Sequence, residues 1–273
     1  MEKITQEAFQ AKKNCEPRRR CFRSHPGVQE NKQPGATPSF SVKFNESIGL
    51  VFKSMTGKRL RYGEKHNNYY TFLDSEEEIA AAKEWEASQG SRLFLRDCLT
   101  CSIALDTNFI DNENLEYTEL GKLEHDAKIG RNMDAVEALV SLMVEAIRSL
   151  PPYGRAQYVA AVPPRPGKDY DLPSLLAERI ADELELTDIT QHFVFGGEKD
   201  QVKNKAVEEK WEAWNEAELG LNFDLTGAEV LLIDDKYQSG ATANHVAMVL
   251  QVCGAAEVYG LFAVKTLRDT DNR

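Results

Sequence analysis

The stretch Val230-Leu231-Leu232-Ile233-Asp234-Asp235-Lys236-Tyr237-Gln238-Ser239-Gly240-Ala241-Thr242 constrains the fold more than any other part of the chain. Val230 to Ile233 is an unbroken apolar run, the pattern of a strand buried on both faces of a parallel sheet. Asp234 and Asp235 close that run at its carboxyl end, where open α/β sheets bind ligands. Ser239 to Thr242 is a short glycine and hydroxyl turn that feeds an apolar-periodic helix over Ala243 to Cys253. A helix N-terminus presents free N–H groups and the positive end of its dipole, which suits a phosphate. Two carboxylates beside a phosphate cradle fit a sugar phosphate, with acids for ribose hydroxyls and amides and hydroxyls for the phosphate. A plain strand with a polar turn would explain the apolar run but not the acids and hydroxyls together.

This order of parts resembles the signature of the type I phosphoribosyltransferases. Within them it is most similar to the ComF branch, through Tyr237 and the ending Gly240-Ala241-Thr242. Lys236 stands where an aliphatic residue is usual, Gln238 where a threonine is usual, and Ser239 replaces threonine. The resemblance covers about residues 115–266. It implies an α/β fold with a Rossmann-like parallel sheet, and phosphoribosyl pyrophosphate with Mg²⁺ as ligand. Asp234 and Asp235 would be the catalytic acids, and Gln238, Ser239, Gly240, Ala241 and Thr242 would bind the ligand. The implied activity is transfer of phosphoribose to a base, an amine or a nucleic acid. Two alternatives stay open. One is a ComF-like accessory in DNA uptake or processing that uses the site as a nucleotide sensor or clamp without turnover; the other is an interaction protein with a vestigial pocket.

Further segments fit that frame. Gln157 to Val162 reads as a strand, Pro163 to Asp171 as a loop, and Leu172 to Leu184 as a helix. In the resembling family this layout receives pyrophosphate, which implies ligand-binding roles for Pro164, Arg165 and Lys168. A lysine in place of the family's arginine keeps the charge but loses the bidentate fork. The plain reading is a crossover loop with incidental charges. His192 to Phe195 reads as a short strand, followed by a Gly-, Lys- and Asp-rich loop and a helix from Ala206 to Leu219. Gln201, Lys203, Asn204 and Lys205 fall where the family has a closing loop, and Lys203 is assigned there as a ligand contact. Trp211 and Trp214 at helical spacing read as core or interface. Glu257 to Val264 is a further buried strand before a polar tail. Upstream, Tyr117 to Lys128 is the helix that begins in tyrosine and ends in lysine in ComF-like chains, with Gly130 as its stop. Lys128 reads as a surface residue or, by analogy only, a ligand contact. Val136, Leu139, Val140, Met143, Val144 and Ile147 recur at helical spacing before Pro151-Pro152.

Ahead of these lie a basic, partly mobile arm over 1–38 and a small α+β module over 39–114, leaving 115–273 as the transferase-like domain. The module's expected strands lie around Phe40, Val42 and Phe44, around Leu50, Val51 and Phe52, and over Tyr69 to Leu73. Ser75 with Glu78 forms a capping box that opens a helix to about Ala87. Lys53, Lys58, Arg59, Arg61 and Lys65 with Tyr62, Tyr69 and Tyr70 suit single-stranded nucleic acid, or are solvated hairpin charges beside core tyrosines. Cys98-Leu99-Thr100-Cys101 has the spacing of a zinc knuckle, and Cys15 and Cys21 are the expected partners for a structural Zn²⁺; buried free thiols are the alternative. The net charge of -11 argues against a coat of duplex nucleic acid. No apolar run reaches membrane-spanning length and no signal-peptide core opens the chain, so a cytoplasmic protein with no membrane partner is expected, with a homodimer left open.

Overall fold

The computed structural model describes residues 2–30, 37–164, 167–197 and 207–267. Among them the N-terminal elements are α1 (Gln6–Lys13), β1 (Arg19–Cys21), β2 (Val28–Gln29), β3 (Ser39–Val42), α2 (Ile48–Thr56), β4 (Arg61–Gly63), β5 (Asn68–Phe72), α3 (Glu76–Gln89), β6 (Leu93–Leu95) and β7 (Cys101–Thr107). Then come α4 (Glu119–Lys128), α5 (Met133–Ser149), β8 (Tyr158–Ala161), α6 (Leu172–Leu184), β9 (Thr187–Asp188) and β10 (Phe193–Phe195). The last are α7 (Val207–Glu216), β11 (Leu219–Leu221), β12 (Glu229–Tyr237), α8 (Ala241–Val252) and β13 (Glu257–Lys265).

The α/β class expected from the sequence is what the chain adopts. A seven-stranded sheet runs β1-β6-β7-β13-β12-β8-β9. Its five strands from β7 to β9 are parallel, and β6 and β1 continue it antiparallel. β12 lies between β13 and β8, and Val230 to Ile233 are fully buried, as their apolar run requires. Leu231 and Ile233 pack with α5 and α6, while Val230 and Leu232 pack with α7 and α8. From β8 the chain crosses through α6 outward to β9; from β12 it crosses through α8 the other way to β13. The carboxyl ends of β8 and β12 therefore flank a topological switch point, the crevice in which such sheets hold ligands.

Several expectations need correction. Leu50, Val51 and Phe52 are helical, inside α2, because Ile48, Val51 and Phe52 at helical spacing bury one face against Phe40. Cys101–Thr107, placed by sequence in the small module, is an inner strand of the main sheet. The described part of the basic arm is packed onto the fold: α1 buries Phe9 against Trp211, with ring centroids 5.4 Å apart, and β1 forms one edge of the sheet. Phe193–Phe195 pairs with β11 outside the central sheet, so Leu219 belongs to a strand and the Trp-bearing helix ends at Glu216. The helix expected from Tyr117 begins at Glu119, with Thr118 as its cap. A second sheet, β2-β3-β5-β4, is antiparallel and carries α2 and α3 on one face. No helix among the described residues is long and apolar enough to cross a membrane.

Candidate functional site

At the switch point, β12 runs further than its apolar segment suggests. Asp234 pairs with Phe262 and Tyr237 with Lys265, so both acids sit within the strand. Their side chains part. Asp234 lines a cleft of about 100 Å³ with Gln238, Gly240 and Thr242. Asp235 is only 3% exposed and turns toward α4, where its Oδ2 lies 2.5 Å from Lys128 Nζ. Asp235 thus does not open onto the cleft beside Asp234: a charge this buried needs a partner, and Lys128 supplies it. Lys128 is correspondingly no idle surface residue. Burial alone would lower its ammonium, but Asp235, Asp234 and Glu124 together raise it. Burial, then the charge of Asp235, pushes the Asp234 carboxyl well above its ordinary range.

Glu124 completes this network and carries no sequence motif of its own. It is 1% exposed and holds Lys236 Nζ at 2.8 Å, with Lys128 Nζ 3.8 Å away. Burial raises its carboxyl despite Lys236. The lysine that departs from the family pattern thus has a local reason: Lys236 pairs with a buried acid one helix away. The spacing of Glu124 and Lys128 at i and i+4 was the one available hint.

The turn from β12 into α8 is held from three sides. Gly240 has φ +89°, and a Cβ there would stand 2.1 Å from the Tyr237 hydroxyl oxygen, so the position admits only glycine. Tyr237 Oη donates to Asp97 Oδ2 at 3.0 Å; Arg18 Nη2 donates to the Ser239 carbonyl at 2.8 Å; Asn244 Nδ2 donates to the Gly240 carbonyl at 2.8 Å. Gly240, the N-cap of α8, has no side chain to cap it, and Ser239 Oγ accepts from the Ala241 N–H at 3.4 Å, which leaves the N–H groups that follow to a ligand. Thr242 is half-buried, and Trp214 Nε1 donates to its hydroxyl at 3.3 Å. Ser239 and Ala241 are buried, and of the two only Ser239 borders the cleft. Gln238 accepts from Lys210 Nζ at 3.5 Å, a cation that sequence reasoning did not single out.

Across the acids, the loop after β8 reaches α6 as expected. Asp171 caps α6 by accepting from Ser174 N, and Lys168 Nζ lies 2.7 Å from Asp171 Oδ1. Lys168, Lys128, Arg131 and Tyr170 line a second, wider cleft of about 400 Å³. The Arg131 guanidinium stands 5.1 Å from the centre of the Tyr170 ring. Arg131 and Lys210 lie outside any motif and enter the site through tertiary placement alone. Pro164 lies on the loop after β8, ahead of this cleft. Arg165 and Lys203, with Gln201, Asn204 and Lys205, fall outside the described residues.

The cysteine expectation fails. Among the described residues no three His, Cys, Asp or Glu gather as a metal site. Cys101 is buried on β7 with its thiol toward the Ser47 carbonyl, Cys15 faces the Ala11 carbonyl, and Cys21 faces Gly90 and Ser91. The knuckle spacing is spent on entry into an inner strand. Burial pushes the Cys98 and Cys101 thiols up to about 12.

No family model and no curated protein matches the chain. Among solved structures, it is similar to the glutamine phosphoribosylpyrophosphate amidotransferase of B. subtilis complexed with ADP and GMP. That likeness has a TM-score of 0.38 and 12% identity, over 72% of this chain and 38% of the other. It is also similar to adenine phosphoribosyltransferase from Leishmania donovani, with a TM-score of 0.32 and 13% identity over 57% of this chain and 75% of that one. A third is described as the allosteric regulatory enzyme of purine biosynthesis, with a TM-score of 0.32 and 10% identity over 82% and 45%. The chain thus spans less than half the length of the first and third. At such scores these likenesses add nothing to what the site's own geometry supports.

Proposed function

We propose that the crevice at the carboxyl ends of β8 and β12 binds phosphoribosyl pyrophosphate with Mg²⁺ and transfers its phosphoribose to a base, an amine or a nucleic acid. The observation that carries this reading is a conjunction at one switch point: an acid in the cleft, a glycine-opened helix start beside it, and cations across from it. The 5′-phosphate lies against Gln238 to Thr242, where backbone N–H groups and the Thr242 hydroxyl face it. Asp234 accepts from the ribose hydroxyls. Lys128, Arg131 and Lys168 hold the pyrophosphate, with Pro164 shaping the loop; Arg165 and Lys203 join them by resemblance alone.

The residues present fit Mg²⁺. The Asp234 carboxyl has its proton affinity raised by burial and by Asp235, a situation that a hard cation bound through oxygen relieves. When bound, the metal neutralises charge on the departing pyrophosphate. Asp234, the acid that lines the cleft, favours positive charge growing on the sugar as the bond to pyrophosphate breaks. Lys128 orients Asp235, and Glu124 fixes Lys236 beside it.

Isothermal titration with phosphoribosyl pyrophosphate and Mg²⁺, followed by a screen of acceptors for pyrophosphate release, tests the reading. Saturable binding with release against one acceptor class supports transfer. Binding without release favours the nucleotide clamp. No binding at millimolar ligand sinks both.

A further inference from the structure

The second sheet presents two faces of opposite character. On its inner face Phe40 and Val42 of β3 are buried against α2 and α3: the Phe40 and Phe52 rings stack 4.1 Å apart, and Phe52 meets Trp85 at 4.9 Å. Among the described residues, α2 and α3 pack on the inner face, and Phe72 on the outer face is exposed. Register places Tyr70 between Ser41 of β3 and Arg61 of β4, and Phe72 opposite Ser39. Side chains alternate along a strand, so Tyr70, Phe72, Arg61, Ser39 and Ser41 share that outer face. Phe72 is 42% exposed, and its ring centroid lies 5.3 Å from that of Tyr70.

We propose that this outer face binds single-stranded nucleic acid, with Tyr70 and Phe72 stacking bases and Arg61 meeting phosphate. The rings stand on β5, an inner strand of the sheet, so their backbone is fixed on both sides before any base arrives. Charge favours a polyanion. Residues 57–72 hold Lys58, Arg59, Arg61 and Lys65 against one acid, Glu64, in a chain whose net charge is -11. Lys58 is spent on Glu78 at 2.5 Å, whereas Arg59, Arg61 and Lys65 are exposed. Hydroxyls and an amide flank the rings: Asn68 Nδ2 donates to Ser41 Oγ at 2.7 Å. Such groups suit base edges and sugar better than the apolar centre of a protein interface. A sheet face cannot enter a duplex groove as a helix does, and its rings need unstacked bases, so the partner is single-stranded. The sequence pointed to Tyr62 and Tyr69 as well, but Tyr69 packs against the core, and Tyr62, although 53% exposed, stands opposite it in register on β4, off the face that carries Tyr70 and Phe72. Nothing here depends on the phosphoribosyl reading.

Fluorescence anisotropy of the full chain with labelled 12-nucleotide dT and rU strands tests it. Both strands are expected to bind with strong salt dependence. Tyr70→Ala with Phe72→Ala should weaken binding by at least about tenfold. The pair Tyr70→Phe and Phe72→Tyr, which keeps both rings, should retain it, and Arg61→Ala should flatten the salt dependence. Circular dichroism and unchanged thermal melting show that the variants are folded. No binding by the wild type, undiminished binding by the ring-less variant, or equal binding of a 12-base-pair duplex would overturn the proposal.

Discussion

Asp97 shows how one buried carboxyl can set a pH response. It is 2% exposed and accepts from Ser102 Oγ, the Leu99 N–H and Tyr237 Oη. Burial outweighs these bonds and raises its pKa from 3.8 to about 6. Between those values the folded protein holds a proton that the unfolded chain has released. Stability therefore falls as pH rises through this window, by up to roughly 3 kcal/mol, and the loss is complete above about 6. Urea denaturation at pH 4 to 7 should show this fall in the wild type and a flatter profile in Asp97→Asn; parallel profiles would refute the assignment. Two other side chains separate binding from stability. Thr242→Val removes a hydroxyl at nearly constant shape and should weaken binding of the phosphoribosyl ligand by about 1–3 kcal/mol, with a smaller loss of stability because Trp214 Nε1 loses that acceptor. Asp235→Asn should lower stability by about 1–3 kcal/mol, because Lys128 loses its close partner on a half-exposed pair. Titration and thermal melting of both variants decide whether the two effects separate in this way.

Among elements, the β12–α8 junction ties fold to site most tightly. β12 extends to Tyr237 because its outer half still pairs with β13, and the turn must then reverse within Gln238 to Gly240. Gly240→Ala combines a left-handed φ with a collision against the Tyr237 hydroxyl and should cost about 1–3 kcal/mol. It should also abolish ligand binding by displacing the first turn of α8. Full-affinity titration by that variant would show that the turn is not the phosphate cradle. This junction was legible in the sequence, since a continuous apolar run and a Gly/hydroxyl turn each have one local explanation. The strand from Glu257 was legible for the same reason and ends one residue beyond expectation, at Lys265. Leu50-Val51-Phe52 was not. Three consecutive apolar residues fit a strand or a helix equally, and only the packing of Ile48, Val51 and Phe52 against Phe40 selects the helix.

At the scale of the whole molecule, the N-terminal segment is structural to the sheet and to the site. Phe9 and Ile4 are buried, β1 completes the sheet along β6, and Arg18 holds the Ser239 carbonyl. Deleting residues 2–23 should cost at least about 3 kcal/mol from the buried side chains of Ile4, Phe9 and Phe22 alone and should lower both Tm and ligand affinity. A shortened chain with unchanged melting and titration would show the segment to be dispensable. The sequence by itself determined the parallel α/β core, the paired acids that follow its apolar run and the glycine-opened helix, because each depends on neighbours within a few positions. Tertiary structure alone decided which acid faces the cleft, that Glu124, Arg131, Lys210 and Arg18 surround it, and that Cys15, Cys21, Cys98 and Cys101 do not gather. Those facts rest on side chains brought together from separate elements, and the order of strands in the sheet, which no local pattern encodes, is what brings them there.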